Sequence, residues 1–545
     1  MHGLPMLQPG FKHLPYVNPA APKGGRLRLG TLGSFDSLNV FIARGAWAEG
    51  IREHVYESLL ARNLDEPFSL YGLLAKSVEV PPDRSAVSFE LRPEARFSDG
   101  TPVTVDDVIH SHSLLKREGV PFYRSYFKRV AKIERIGERG VRFELESGEN
   151  RELPLIIGLM PVFPRHALTA EKFKETTLVP PVGSGPYVVA RVEPGRLLVF
   201  KRNPNYWGRD LALQRGRNNF EEIRYEYYSS QSSLFEAFRT GAIDVRFEDQ
   251  AQRWATDYDF PAVKSGLILK RELNTGSPAG MNALVFNTRR AVFKHQAVRR
   301  AIALAFDFDW INANLYHGRY SRTRSFFERS ELSGALNAPR TNKAAEPGQE
   351  RERFNDIMAL LAEGGYVLKD GRVRHKDTGA TLTFEVMIQS RAHERLLVTY
   401  ASLLSRLGIE MRVRIVDDSQ FWNRAKAFDF DMMPFLYTAS LSPGSEQANR
   451  WSSTAARIEG SLNFAGVESP AVDASIEALL KADTREEFAA AVRALDRLLI
   501  SGDYVVPLYY APRLWVAHWR HIRQPEKTPL QGLAIDTWWS EPTKP

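Results

Sequence analysis

The sequence predicts an α/β fold, and three observations carry that reading. Residues 394–415 place Leu396, Leu397, Tyr400, Leu403, Leu404 and Leu407 on one helical face and stop at Gly408. Ile409, Met411, Val413 and Ile415 then alternate with Glu410, Arg412 and Arg414, so a period of 3.6 gives way to a period of two. Residues 218–247 repeat the theme as strand, helix and strand, with Leu234, Phe235 and Phe238 as the buried stripe and Gly241 ending the helix. Finally, 545 residues at 43% hydrophobic content are enough for two to four domains, and strands alternating with helices make at least one of them α/β.

Composition narrows the function classes. Lys and Arg number 73 against 65 Asp and Glu, a net charge of +8, but the basic residues are interspersed with acids rather than gathered in blocks. That pattern argues against nucleic-acid binding and leaves a modest preference for anionic ligands beside a plain solvated surface. There is no cysteine, which excludes disulfides and thiolate chemistry without deciding the compartment. The longest apolar run, 153–163, carries two prolines and is about half of the roughly 20 residues a spanning helix needs. No secretory signal is legible at Met1; the loop-like HGLPMLQPGFKHLPY after it fits a chain that starts beyond a removed signal peptide.

In chain order, residues 1–25 are rich in Pro, Gly and aromatics and read as an ordered arm or a tail. A strand and loop follow in RLRLGTLGSFDSLNVF, and Ile51, Val55, Leu59 and Leu60 form a helical core stripe. Val87, Phe89 and Leu91 alternate as a strand, Asp99 and Gly100 turn, and Thr104 with Asp107 forms a capping box opening a helix. Asp106 and Asp107 are adjacent, so their carboxylates diverge, and acids are expected in a first helical turn. His110 and His112 stand two apart on the same helix and point to different sides, which disfavours a shared metal ion.

Residues 180–208 organise the chain: a GSGP turn, two strand-like runs at 187–192 and 197–201, then Asn203 and Pro204 before an aromatic anchor of Tyr206 and Trp207. No phosphate-cradle motif follows a strand and opens a helix here. Arg299 and Arg300 share a helix with Ile302 and Phe306, making at least one of them structural or a surface charge. Residues 337–353 are polar and read as a surface loop. A helix carrying Phe421, Trp422 and Ala425 precedes the strand FDFDMMPFLY, and ligands of open α/β sheets gather beyond such carboxyl ends. The loop there offers Tyr437, Ser440, Ser442, Glu446, Gln447, Arg450 and Trp451 as candidate ligand contacts, with chance polar content of a surface turn as the alternative. Thr484 with Glu487 forms a second capping box, Phe488, Val492, Leu495 and Leu499 line a buried face, and YVVPLYY is a strand expected to return to the first lobe, with Tyr509 or Tyr510 toward a cleft. An enzyme would need a nucleophile with its base or a metal cluster; there is no GxSxG, no HExxH and no cysteine.

Several of these words occur together and in order: D-x-L-N at 36–39, Y-E-x-L at 56–59, L-A-x-S at 74–77, F-S-D-G-x-P-x-T-x-D-D-V at 97–108, SGPY with RNPNYWG, F-x-A-F-x-x-G-x-I-D at 235–244, F-N-T at 286–288 and V-R-x-A-I-x-x-A-F-D at 298–307. In this the chain resembles the bacterial extracytoplasmic solute-binding proteins of family 5, which serve dipeptide and oligopeptide ABC importers. NPAAPKGG, SFDSLN, LDEPFSLYGLLA, DYDFPAV and SLSPGSEQ look most like its Yej-type branch, whose members feed oligopeptides or murein peptides to an importer.

The resemblance implies a periplasmic binding protein type II-like (cluster C) fold: two main lobes plus an extra lobe, joined by a hinge. The lobes would be residues 1–50 with 183–275 and 502–545, then 51–182 as the extra lobe, then 276–501. It implies a periplasmic monomer without cofactor or resident metal, whose partners are a peptide ligand and the inner-membrane permease subunits of an ABC importer. It also puts the loop holding Ser34, Phe35 and Asp36 at the cleft; capping of a turn by Asp36 and Asn39 is the equal alternative. Peptide binders of the family carry an aspartate for the ligand's α-amino group in the loop after 437, and 439–442 here has none. The expected contacts are then Glu446 to an amino group, Arg450 to a carboxylate, and Trp422 or Trp451 stacked on apolar ligand atoms. Murein peptides suit this charge pattern best; a broad oligopeptide or antimicrobial-peptide binder and a chelate receptor are the competing readings.

Overall fold

The computed structural model describes residues 4–147, 151–335 and 349–541. Three sheets carry the architecture. The first is seven-stranded, in the order Ile268–Leu273, Leu514–Trp519, Val245–Glu248, Arg26–Leu32, Glu222–Tyr228, Leu197–Arg202, Tyr187–Glu193. Arg26–Leu32 runs parallel to both of its neighbours, so the helix Gln231–Arg239 crosses over between them and buries Leu234, Phe235 and Phe238 beneath the sheet. The second sheet is five-stranded and orders Glu410–Ile415, Thr383–Ile388, Met432–Tyr437, Met281–Phe286 and Val505–Pro507. The third, four-stranded and antiparallel, lies between residues 75 and 145 and forms the extra lobe with its helices.

Three expectations need correcting. The stripe at 51–60 is buried throughout, but the helix stops after Ile51–His54. Its carbonyls are used elsewhere: Val55 O accepts from the Gly185 amide at 2.8 Å and Glu57 O from the Val162 amide at 2.9 Å, so the helical ladder cannot continue. The strand at Val505–Pro507 does not return to the first sheet; it pairs antiparallel with Met281–Phe286. Val505 and Val506 are buried in separate clusters on the two faces of that sheet, and Pro507, lacking an N–H, suits its edge position. The chain re-enters the first sheet only at Leu514. Of the loop expected at 337–353, residues 336–348 lie outside the described residues, and 349–353 open the helix Gln349–Glu363. The N-terminal residues form an arm: Leu14, Tyr16 and Val17 pack with Leu213 and Ala534. Both expected capping boxes, Thr104 with Asp107 and Thr484 with Glu487, are present.

The organising stretch at 180–208 is tied to the root of the extra lobe. Gly183 and Gly185 lie so close to Val55 that an added Cβ at either would overlap its backbone carbonyl. Tyr206 is buried, and its hydroxyl donates to the Glu57 carboxylate, while Trp207 Nε1 donates to Glu57 Oε2 at 2.9 Å and Ser184 O at 3.1 Å. Burial pushes the Glu57 carboxyl up to about 7, and the bonds from Tyr206 and Trp207 only partly offset it.

At the crossings between the two larger sheets, Arg329 donates to Thr275 O at 2.7 Å and Ala511 O at 3.2 Å, joining both chain passages. Beside them Tyr509 stacks on Tyr320 with centroids 4.4 Å apart, and Tyr320 lies 5.7 Å from Trp515, which in turn stacks on Trp254 at 6.1 Å and 12°.

An acid whose pKa is raised by folding stabilises the fold below its unfolded value and loses that contribution as pH rises through the folded one. Thermal melting between pH 4.5 and 8 should therefore show stability falling as pH rises toward about 7, on the order of 1–3 kcal/mol from Glu57. Glu57→Gln, which keeps an acceptor for Tyr206 and Trp207, should flatten that slope.

Candidate functional site

The strand Met432–Tyr437 ends at a loop that runs into the helix Glu446–Trp451. The residues at its base are committed to holding it. Tyr437 and Trp451 are each 2% exposed, their rings 4.4 Å apart, and Phe326 packs against Trp451 at 4.9 Å. Trp451 Nε1 donates to Gln447 Oε1 at 3.2 Å, Gln447 Nε2 donates to Glu446 Oε1 at 3.0 Å, and Glu446 Oε2 accepts the Gly444 amide at 3.0 Å. Arg450 donates to Thr438 O at 2.6 Å and Thr438 Oγ1 at 3.2 Å.

This corrects part of the expected site. Trp451 has no free ring face for a ligand, Tyr437 and Gln447 are buried, and the Arg450 guanidinium is turned to the loop's own backbone. Of the expected contacts, Ser440, Ser442 and Glu446 line a cavity of ≈ 470 Å³, with Ala439 and Leu441 of the same loop.

The opposite wall comes from the extra lobe: Phe122 and Tyr126, then Leu155 and Ile156 on the helix Leu153–Gly158 with Glu152 and Leu159 at its two ends. Prolines at Pro121 and Pro154 sit in the first turns of the two short helices, where a missing N–H costs nothing. The walls touch across the cavity's end. Glu152 Oε2 accepts from the Ser445 amide at 3.3 Å and hydroxyl at 2.9 Å, and Tyr126 Oη lies 2.7 Å from Ser445 Oγ. Glu152 packs so tightly on Gly444 that an added Cβ there would overlap its carboxylate. Burial first, and then the neighbouring Glu446 charge, hold the Glu152 carboxyl above the usual range. Arg151 reaches across to the end of the helix Pro470–Lys481, donating to Lys481 O at 3.0 Å and also to Ala482 O and Asp483, where the helix dipole favours a cation. Phe68, on the turn between the strands Leu60–Arg62 and Leu70–Gly72, inserts into the core under the five-stranded sheet, with its ring 5.2 Å from Phe488.

Other expected site residues lie elsewhere. Phe35 is buried against Tyr227 at 4.8 Å, and Asp36 Oδ1 accepts the Ala46 amide at 2.8 Å, so Asp36 caps a turn; neither they nor Ser34 line this cavity. Tyr509 sits at the crossing and donates to Tyr316 Oη at 2.7 Å. Trp422 is 38% exposed on its helix, away from the cavity lining. His112 lies against Phe127 at 4.9 Å, and Asp106 pairs with Arg135 at 2.5 Å. Arg62, Tyr126 and Glu152 line the cavity and were not legible as site residues; the apolar run beginning at Leu153 was the only trace of this wall in the sequence. Among the described residues no helix is long and apolar enough to cross a membrane.

These placements separate the two tryptophans. Trp451→Ala should cost about 3–5 kcal/mol in denaturant unfolding, as for a buried aromatic, whereas Trp422→Ala should stay within about 1 kcal/mol.

Comparison with known proteins places the sequence and the fold. The sequence profile described as "Bacterial extracellular solute-binding proteins, family 5 Middle" matches residues 69–457. "Peptidoglycan-binding protein YepA" of Agrobacterium fabrum is 42% identical, the match covering 99% of this chain and 94% of that protein. "Probable peptide-binding protein YejA" of the same organism is 38% identical, covering 97% and 92%. The solved structure of the oligopeptide-binding protein AppA from Bacillus subtilis, in complex with a nonapeptide, superposes with a TM-score of 0.70 at 20% identity over 96% of this chain and all of that one, which speaks for the shared fold. Profile, full-length relatives and fold agree, and the chain belongs to family 5 of the bacterial extracellular solute-binding proteins, the substrate-binding proteins of ABC peptide importers.

Proposed function

We propose that the chain captures murein peptides in the periplasm, as a monomer, and delivers them to an inner-membrane ABC permease. The observation that carries this reading is the cavity between the extra lobe and the loop 439–446, with Glu446 and Glu152 on facing walls. A ligand ammonium placed between the two carboxylates relieves their mutual repulsion, which offers a physical substitute for the aspartate missing from 439–442. Murein peptides bring a diaminopimelate amino group in addition to the α-amino group, and the similarity to a relative named for peptidoglycan supports the same class.

Ligand trapping follows from the two-walled construction. Contacts from both walls are complete only when the lobes meet, so a ligand shifts the open–closed equilibrium by its differential affinity for the closed form. Phe122, Leu155 and Ile156 offer apolar surface for side chains, while an extended ligand backbone satisfies its own polar groups along the loop. This is binding without bond cleavage: a peptide incubated with the protein should be recovered intact.

Native mass spectrometry of the purified protein, followed by identification of what denaturation releases, tests the proposal. A diaminopimelate-containing peptide is the expected cargo, and L-Ala-γ-D-Glu-meso-diaminopimelate should bind at least about tenfold tighter than tri-alanine by calorimetry. Release of mixed ordinary peptides, with equal affinities for the two probes, would replace the murein reading by a broad oligopeptide binder.

A further inference from the structure

We propose that Arg62 is the receptor for a ligand carboxylate in the cavity, an assignment that rests on the peptide-binding reading above. Arg62 is the one cation among the described residues lining that cavity. It stands at the end of the strand Leu60–Arg62, paired with Leu70 on the partner strand, and Leu70 lines the same cavity. The turn between these strands is pinned by Phe68 in the core of the opposite lobe, with the Arg485 guanidinium over its ring at 4.6 Å. The guanidinium is therefore carried by a braced hairpin.

Its surroundings differ from those of the other arginines nearby. Arg151 is spent on the end of the helix Pro470–Lys481, Arg450 on Thr438, Arg485 on Glu331 and Arg329 on the carbonyls of the crossings. Arg62 has no such partner among the described residues. Its side chain is exposed and lines the cavity, and no carboxylate among the described residues is paired with it. An unpaired guanidinium with its donors free has the geometry for a bidentate bond to a planar carboxylate. No ion pair joins Arg62 to Glu152 or Glu446 among the described residues, so the cavity is polarised, with its positive charge on the hairpin and its negative charges where Glu152 of the extra lobe meets the loop of Glu446. A ligand with an ammonium and a carboxylate fits that polarity in one direction only.

Calorimetry with L-Ala-γ-D-Glu-meso-diaminopimelate and with its fully amidated counterpart tests this, alongside tri-alanine and tri-alanine amide. The wild-type protein should prefer each acid over its amide. Arg62→Gln should weaken the acids by about tenfold or more while leaving the amides unchanged, and Arg62→Lys, which keeps charge but not the fork, should recover part of the loss. Murein peptides amidated singly, at the C-terminal carboxylates or at the glutamyl α-carboxylate, identify which group the arginine meets. Equal weakening of acid and amide, or no change in either, would overturn the assignment while the peptide reading stands. If only the tri-alanine pair binds, murein specificity falls and Arg62 is judged on that pair; binding of no probe by the wild-type protein overturns both. Unchanged melting of Arg62→Gln and Arg62→Lys shows that each variant is folded.

Discussion

A carboxyl group with no salt-bridge partner among the described residues, buried at the root of the extra lobe, sets much of the rest. Glu57 is held by Tyr206 and Trp207, and the glycines at 183 and 185 close on Val55 two residues before it. Through these contacts the point where the chain leaves the first lobe and the point where it comes back are fused into one packed unit. The four-stranded sheet hangs from that junction. Its helix Leu153–Gly158 can then present a wall to a loop on the far lobe, because the root is fixed and the tip is clasped through Arg151 and Glu152. Replacing this buried acid by an apolar residue would take the carboxylate acceptor from Tyr206 and leave Trp207 Nε1 with Ser184 O alone, a loss that offsets the cost of burying the acid.

The loop after Tyr437 illustrates how a binding surface is divided between supporting and contacting residues. A residue list drawn from the loop mixes the two, since polarity and aromatic character are what both need. In the fold, helical spacing decides: Gln447, Arg450 and Trp451 lie on the side of the helix Glu446–Trp451 that meets the strand end and the core, and Glu446 opens onto the cavity. The chain of bonds from Trp451 through Gln447 and Glu446 to the Gly444 amide fixes the carboxylate direction before any ligand arrives. Such preorganisation lowers the ordering cost of binding.

Much of the fold was legible because its signals are local. The stripe of Leu234, Phe235 and Phe238, the cap at Thr104, the box at Thr484 and the period change at Gly408 each lie within one element. What failed depended on distant partners. The helix at Ile51 is cut short by amides from 162 and 185, and Val505 stays with the second sheet because that sheet has two apolar faces to cover. The site followed the same rule. The loop was legible from the carboxyl end of a strand, but Tyr126 and Ser445 meet from 319 positions apart, and no local pattern marks Glu152 as a wall residue. Asp36 carries two equal readings in the sequence because a turn cap and a ligand contact demand the same side chain.

The aromatic column at the crossings has an optical consequence. Trp254 and Trp515 are near-parallel at 6.1 Å, Tyr320 lies within 5.7 Å of Trp515, and Tyr509 stacks on Tyr320. Chromophores this close couple their excited states, and Tyr320 and Trp515 belong to opposite sides of the passage between the two large sheets. Rotation of one lobe against the other changes that coupling, so near-ultraviolet dichroism and tryptophan emission report the motion without any attached label.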